Sequence, residues 1–211
     1  MLRYIHARAL GDFPKLQEGM FRDRADQFKT RLNWDVEVDA NGQERDAYDA
    51  LNPLYVLWQN RDGGHGGSMR LLPTTGSTMV ADHFAHLLRG RIIEDRAIWE
   101  CTRFCLSRQA EPRVAAALML AGGEVMRHFG ITHYVGVFDA RMERIYRAIG
   151  SEPEIIGSEG TGLDRISVGL WSFTEEARQR VARRAGISPE LSQLWVRRSL
   201  GAKAQDELLV T

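Results

Sequence analysis

Two β-prone runs, LYVLWQN (54–60) and GSMRLLP (67–73), flank the glycine-rich stretch RDGGHGG. The spacing predicts a hairpin. Beyond it, strands alternate with helices: AIWECTRFCL (97–106), VAAALMLAGGEVMRHFG (114–130), THYVGVF (132–138), then RMERIYRAIG (141–150). A hairpin followed by strand–helix–strand units requires a sheet with both antiparallel and parallel neighbours. The fold class is therefore α/β, a single mixed sheet flanked by helices. At 211 residues the chain suits one domain rather than two.

The flanks fill in the rest. MLRYIHA alternates and is predicted as an edge strand. Leu16, Met20 and Phe28, with Phe21 beside them, predict an amphipathic helix from Pro14 to Leu32. Residues 33–53 are acidic and turn-rich, the composition of a surface loop. ADHFAHLLR (81–89) reads as a short helix, EIIG and RISVGLWSF as strands, and TEEARQRVARRAG as a helix. Ser188-Pro189-Glu190 opens a last one, with Ser as N-cap and Pro at the first helical position. His65 sits in a glycine-rich turn, so it is expected in solvent.

Lys plus Arg and Asp plus Glu both total 28. This balance gives no reason to expect nucleic acid or an anionic membrane as partner. No apolar run reaches membrane-spanning length, and the start has no secretory pattern. Cys101 and Cys105 lie on one predicted strand, too close to pair and without a second pair to make a zinc site. These features predict a reduced, cytoplasmic protein with no metal.

Charge appears where apolar residues are expected. In GSMRLLP, Ser68, Arg70 and Leu72 share one strand face, and Met69 and Leu71 the other. A buried arginine there requires a carboxylate or a polar ligand. Glu100 and Arg103 interrupt a second strand, WECTRF, and Asp46 and Asp49 lie in the loop ERDAYD. Arg24 and Phe28 share a helical face, and Trp34 follows. Taken singly, such charges fit a structural ion-pair network. Taken together with the aromatics, they suit a small zwitterionic, cationic ligand: acids meet its ammonium, arginine its carboxylate, and a ring its positive centre.

In this arrangement the chain resembles the acyl-homoserine lactone synthases, the autoinducer synthases of bacterial quorum sensing. The resemblance rests on Arg24, Phe28 and Trp34 in RADQFKTRLNW, and on Glu44, Asp46 and Asp49 in ERDAYD. Arg70 in GSMRLLPTTG, Phe84, Glu100 and Arg103 in WECTRF, and MERIYRAIG complete it. It implies a fold similar to the N-acetyltransferases (the GNAT fold). It implies acyl transfer from acyl carrier protein to the amine of S-adenosylmethionine, then lactone closure with loss of methylthioadenosine. S-adenosylmethionine is then a substrate, and no cofactor is expected.

The residue chemistry accommodates this. The ammonium must lose a proton before attack, and Glu100 is the candidate base, directly or through a water. Backbone N–H groups at a strand bulge would serve the oxyanion. A bulge would also bring Glu100 and Arg103, on opposite faces of a regular strand, to one side. Arg70 and Arg24 are expected to brace the acidic loop, leaving Phe28, Trp34 and Arg103 as the more direct ligand contacts. Residues 1–53 are expected to form a mobile cover over the substrate.

The acyl chain is expected near Phe104, Leu118, Met126 and Val137. Asp139 stands where many relatives with 3-oxoacyl products have threonine or serine, so an unsubstituted or 3-hydroxy chain is expected. The segment LSRQAEPRVAAAL has no glycine turn to cradle a pyrophosphate, which favours a carrier-protein donor over acyl-coenzyme A without excluding the latter. Arg141, Arg144 and Arg147 recur on one helix as a docking patch for the acidic carrier, with Arg178, Arg180, Arg183, Arg184, Arg197 and Arg198 as further candidates. Gly122-Gly123 inside a helix is expected to allow close packing. Two rival readings are a coenzyme A-dependent N-acyltransferase of the same fold and a non-catalytic relative that only binds.

Overall fold

A computed structural model describes residues 1–201. Its sheet has seven strands: β1 (Leu2–His6), β2 (Leu54–Gln59), β3 (His65–Pro73), β4 (Ile98–Leu106), β5 (His133–Asp139), β6 (Glu154–Glu159) and β7 (Ile166–Trp171). The order is β1-β2-β3-β4-β5-β7-β6, so β1 is indeed an edge. Among the described residues only β4 and β5 pair in parallel; every other neighbour is antiparallel. The helices are α1 (Pro14–Arg24), α2 (Met79–His83), α3 (Val114–Phe129), α4 (Ala140–Ile149), α5 (Glu175–Ala185) and α6 (Pro189–Leu200). This is the single mixed sheet with flanking helices that the sequence predicts.

Strand alternation sorts the two faces. Leu54, Val56, Trp58, Met69 and Leu71 pack with Leu118, Leu120, Val125 and Val181 of α3 and α5. Tyr55 and Leu57 point the other way, against Leu16, Met20 and Phe21 of α1. Val135 and Val168 join that second face and meet Val80, Leu87 and Leu88.

Two features differ from the regular pattern. The first helix becomes a π-helical turn over Ala25–Arg31 before it ends. The predicted helix 81–89 begins two residues earlier, because Thr78 Oγ1 accepts the Ala81 N–H as N-cap. It then breaks at Phe84 into a 3-10 turn, Ala85–Leu88.

His65 is not in solvent. It is buried at the start of β3, with Nδ1 2.6 Å from Asp23 Oδ2. The RDGGHGG turn is shorter than the run of glycines implies, so His65 already belongs to the strand.

Candidate active site

β4 holds the decisive irregularity. Ser68 pairs with Cys105 and Arg70 with Thr102, so two steps along β3 match three along β4. The extra residue is Arg103, whose φ is 52°. A side chain at positive φ is costly and persists only where surrounding contacts enforce it. The bulge carries out the turn expected of it. Glu100 contacts α2, Thr102 receives the Arg70 Nε–H at 3.1 Å, and Arg103 reaches the same side. Phe104 then packs into the core of the opposite face.

On the α1 face three arginines and three carboxylates form one lattice. Arg24 donates from Nε to Glu44 Oε2 at 2.6 Å, and from Nη1 and Nη2 to the two oxygens of Asp49 at 2.9 and 3.0 Å. Arg70 bonds Asp46 through Nη1, and through Nη2 at 2.9 Å; Nη1 also reaches Asp49 at 2.8 Å. Arg103 donates from Nε and Nη2 to Glu44 Oε1 at 3.1 and 2.9 Å, and lies 2.9 Å from Asp46 Oδ2. Arg24, Arg70 and Glu44 are wholly buried. Burial of these charges is tolerable because every one is paired and hydrogen-bonded. Asp46 and Asp49 also cap the 3-10 turn Ala47–Leu51, each accepting a backbone N–H of the other's end. The arginines thus fix the acidic loop to the sheet.

These contacts set the charge states. Burial pushes the Asp49 carboxyl upward, but Arg24 and then Arg70 hold it well below the usual range. Glu100 is 1% exposed and its pKa is raised to about 6, chiefly by burial. The Val80 and Met79 N–H groups, which donate to its two oxygens at 2.7 and 3.1 Å, act in the opposite direction. Glu100 therefore holds the start of α2 while remaining poised to ionise near neutral pH.

A cavity of about 830 Å³ crosses the sheet beside this lattice. β4 and β5 pair only from Ile98–His133 to Glu100–Val135 and separate beyond. Through that gap run Cys101, Thr102, Arg103 and Phe104 from β4, and Gly136, Val137, Phe138 and Asp139 from β5. On the α1 face the walls are Phe28, Trp34, Glu44, Asp46, Tyr48, Met79, Phe84 and Arg103. Phe28 and Trp34 stack at 5.1 Å, and the Arg103 guanidinium lies 5.2 Å from the Phe28 ring. On the α3 face the walls are apolar: Met119, Gly122, Gly123, Met126, Tyr134, Trp171 and Phe173.

The sequence-derived residues divide cleanly. Phe28, Trp34, Glu44, Asp46, Phe84, Arg103, Phe104, Met126, Val137 and Asp139 line the cavity, whereas Arg24, Asp49, Arg70 and Glu100 stand behind its wall. Leu118 does not line it. The α3 residues that do are Met119, Gly122, Gly123 and Met126, spaced as one helical face, and Leu118 is turned into the core. Asp139 is the N-cap of α4 and accepts the Arg141 and Met142 N–H groups at 3.0 and 3.1 Å. Arg141, Arg144 and Arg147 are exposed on α4, and Arg141 borders the cavity. Arg178 is unsuited to docking, being buried against Glu124 at 2.7 Å.

Met79, Tyr48, Trp171 and Phe173 escaped the sequence reading. Met79 is placed by the Thr78 cap, a signal present in GSTMVA. Trp171 ends β7 and Phe173 lies two residues past it, where nothing local marks a cavity wall.

The comparisons follow the same outline. The family model described as "Autoinducer synthase" matches residues 12–181. The acyl-homoserine-lactone synthase of Rhizobium etli is 37% identical over 200 residues, spanning 92% of this chain and 93% of that protein. Among solved structures, MesI, a CoA-dependent acyl-homoserine lactone synthase, has a TM-score of 0.78 and 25% identity, over 90% of this chain and 98% of that one. BjaI, a CoA-dependent synthase solved with SAM and isopentyl-CoA, shares the fold at a TM-score of 0.78 and 23% identity, over 90% and 91%. The fold extends to an acyl-CoA N-acyltransferase from Pseudomonas aeruginosa, at a TM-score of 0.54 and 14% identity, over 82% and 99%. On the family match and the relative's near-complete overlap, this chain belongs to the autoinducer synthases, the acyl-homoserine-lactone synthase family of transferases.

Proposed function

We propose that this enzyme joins an acyl thioester to the amine of S-adenosylmethionine and closes the product to a homoserine lactone. The observation that carries the reading is the cavity itself. One space crosses the sheet, with a charged, aromatic chamber on one face and an apolar chamber on the other. A zwitterionic sulfonium substrate suits the first and an alkyl chain the second. Their reacting ends then meet at the gap between β4 and β5.

In this reading Arg103 receives the substrate carboxylate, and Phe28 and Trp34 offer their faces to the cationic part. Arg24 and Arg70 keep Glu44, Asp46 and Asp49 in place and do not touch substrate. Glu100 accepts the ammonium proton through a water, since its carboxylate lies behind the wall. The amine nitrogen then attacks the thioester carbon, and the thiol leaves. Past Glu100 the β5-facing edge of β4 has no strand partner, so its backbone N–H groups are free to meet the oxyanion. Lactone closure follows when a carboxylate oxygen displaces the sulfonium at the γ-carbon, releasing methylthioadenosine. Holding that carboxylate in line is the main task left to the protein.

For the donor we propose acyl carrier protein, with Arg141, Arg144 and Arg147 as its docking side chains. The support is the glycine-free turn before α3 and the exposure of these arginines beside the cavity. Acyl-coenzyme A is the competing donor, since MesI and BjaI are CoA-dependent synthases. The cytoplasm, where both thioesters are made, is the proposed compartment.

The test is mass spectrometry of purified protein with S-adenosylmethionine and either acyl carrier proteins or acyl-coenzyme A. Acyl-homoserine lactone with stoichiometric methylthioadenosine supports the reading, and the better substrate identifies the donor. Acylation without methylthioadenosine, or no product from either donor, overturns it.

A further inference from the structure

The apolar chamber has a built end. Gly122 and Gly123 lie on the α3 face that lines it, one helical turn from Met119 and Met126 on either side. Glycine inside a helix costs about 1 kcal/mol relative to alanine, so two in succession call for a packing reason. At Gly123 the reason is direct. A Cβ built there would lie 1.9 Å from Cε1 of Phe173 and 2.1 Å from its Cδ1. The Phe173 ring occupies the space of the missing side chain.

Register places this contact at the closed end. Tyr134 pairs with Trp99 on one side and Trp171 on the other, a level at which β4 and β5 are still joined. Phe173 lies two residues beyond Trp171, further from the gap. Trp171 is locked by neighbours: its Nε1 donates to Ser151 O at 3.1 Å, and its ring meets Phe138 and Tyr146 edge-on. Phe173 is half-buried and is held by packing. The side walls are yielding, since Met69, Met119 and Met126 are unbranched thioethers that adapt to what lies beside them.

We infer that Phe173, seated on Gly123, is the stop against which the far end of the acyl chain rests, and that it sets chain length. Gly122 sets the width just above it, where a Cβ would meet Met69 Cε at 3.2 Å and Tyr134 Cε2 at 3.5 Å. The chamber suits a linear alkyl chain lying between these residues. This inference rests on the proposed function.

The experiment is a competition among straight-chain acyl thioesters from butyryl to tetradecanoyl, supplied on both acyl carrier protein and coenzyme A, with lactones read by mass spectrometry. Phe173→Ala removes the stop, and the preferred chain becomes longer. Gly122→Ala adds a methyl beside a flexible methionine, and the preferred chain becomes shorter. Relative kcat/KM between neighbouring even chain lengths should change by about tenfold, the usual effect of methylene-sized changes in an apolar pocket. Thermal melts establish that each variant is folded, and Phe173→Leu replaces Phe173→Ala if the latter is not. Folded variants that both keep the wild-type chain profile overturn the inference. A wild-type enzyme that makes no lactone from any chain overturns the proposed function instead, before any variant is compared.

Discussion

Arg103 and Glu44 meet across 59 residues of sequence, with two guanidinium nitrogens on one carboxylate oxygen at 2.9 and 3.1 Å. The other Glu44 oxygen belongs to Arg24. A buried acid thus joins a helix, an acidic loop and the bulged strand, and Arg103, which faces the cavity, is aimed by a carboxylate that the buried Arg24 holds in place. Arg103→Lys keeps the charge but cannot span Glu44 and Asp46 while facing the cavity. Its kcat/KM for S-adenosylmethionine should fall by about a hundredfold, the range found when a buried charge pair loses its partner. Steady-state kinetics with acyl donor saturating is the check, and an effect below threefold would remove Arg103 from the ligand set.

Arg24 is wholly buried and serves two acids at once. Arg24→Met fills the space but leaves Glu44 and Asp49 short of a partner. Stability should drop by about 3–5 kcal/mol, measured by urea unfolding. A loss under 1 kcal/mol would mean that the lattice does not need this arginine.

Glu100 and Asp49 titrate in opposite senses. Burial raises Glu100 to about 6, above its ordinary 4.5. Between these values the native state holds more protons than the unfolded chain, so the Glu100 contribution favours folding below the ordinary value and is lost as pH rises through about 6. Asp49, held low by Arg24 and Arg70, stabilises the fold above the ordinary carboxyl range and less as pH falls. In the proposed mechanism the ionised Glu100 is the competent form. The acid limb of kcat/KM should therefore sit near pH 6, and Glu100→Gln should lose both the limb and most of the rate. A wild-type profile that is flat across that region removes Glu100 as base.

Asp139 faces the cavity while capping α4. Saturated donors should outcompete 3-oxo donors in the wild-type enzyme, and Asp139→Thr should narrow the difference. Threonine also caps helices, so the variant should lose little stability, whereas Asp139→Ala should lose about 1 kcal/mol. Equal use of both donor types by the wild type would contradict this assignment.

Residues 33–46 include the cavity-lining Trp34, Glu44 and Asp46 yet no regular element beyond the Val38–Glu44 bridge. Hydrogen exchange there should be fast and should slow with S-adenosylmethionine. The substrate cover is proposed to be this stretch with the π-helical turn, because β1 is already paired to β2 and α1 is packed on the sheet. Slow exchange unchanged by ligand would refute it.

Much of this was legible in the sequence because period and charge agreed. The alternation around Arg70 gave its face, and the clash of Glu100 with Arg103 on a regular strand gave the bulge. The apolar chamber was harder. Leu118 and Met119 are equally apolar, and only the angular position of α3 decides which one meets the cavity. His65 and Phe173 were unreadable for a similar reason: each is defined by what folds over it. Asp23 on α1 buries the first, and the vacancy at Gly123 seats the second.

The bulge lets β4 carry one residue more than β3 can match. Deleting Arg103 would restore a regular ladder and leave Cys105 opposite Ser68, so Phe104 would keep its place toward the apolar chamber and Cys105 its place toward α1. The strand's extra residue therefore works like a leap day: it adds a guanidinium on the carboxylate side and leaves the calendar of every other side chain unchanged.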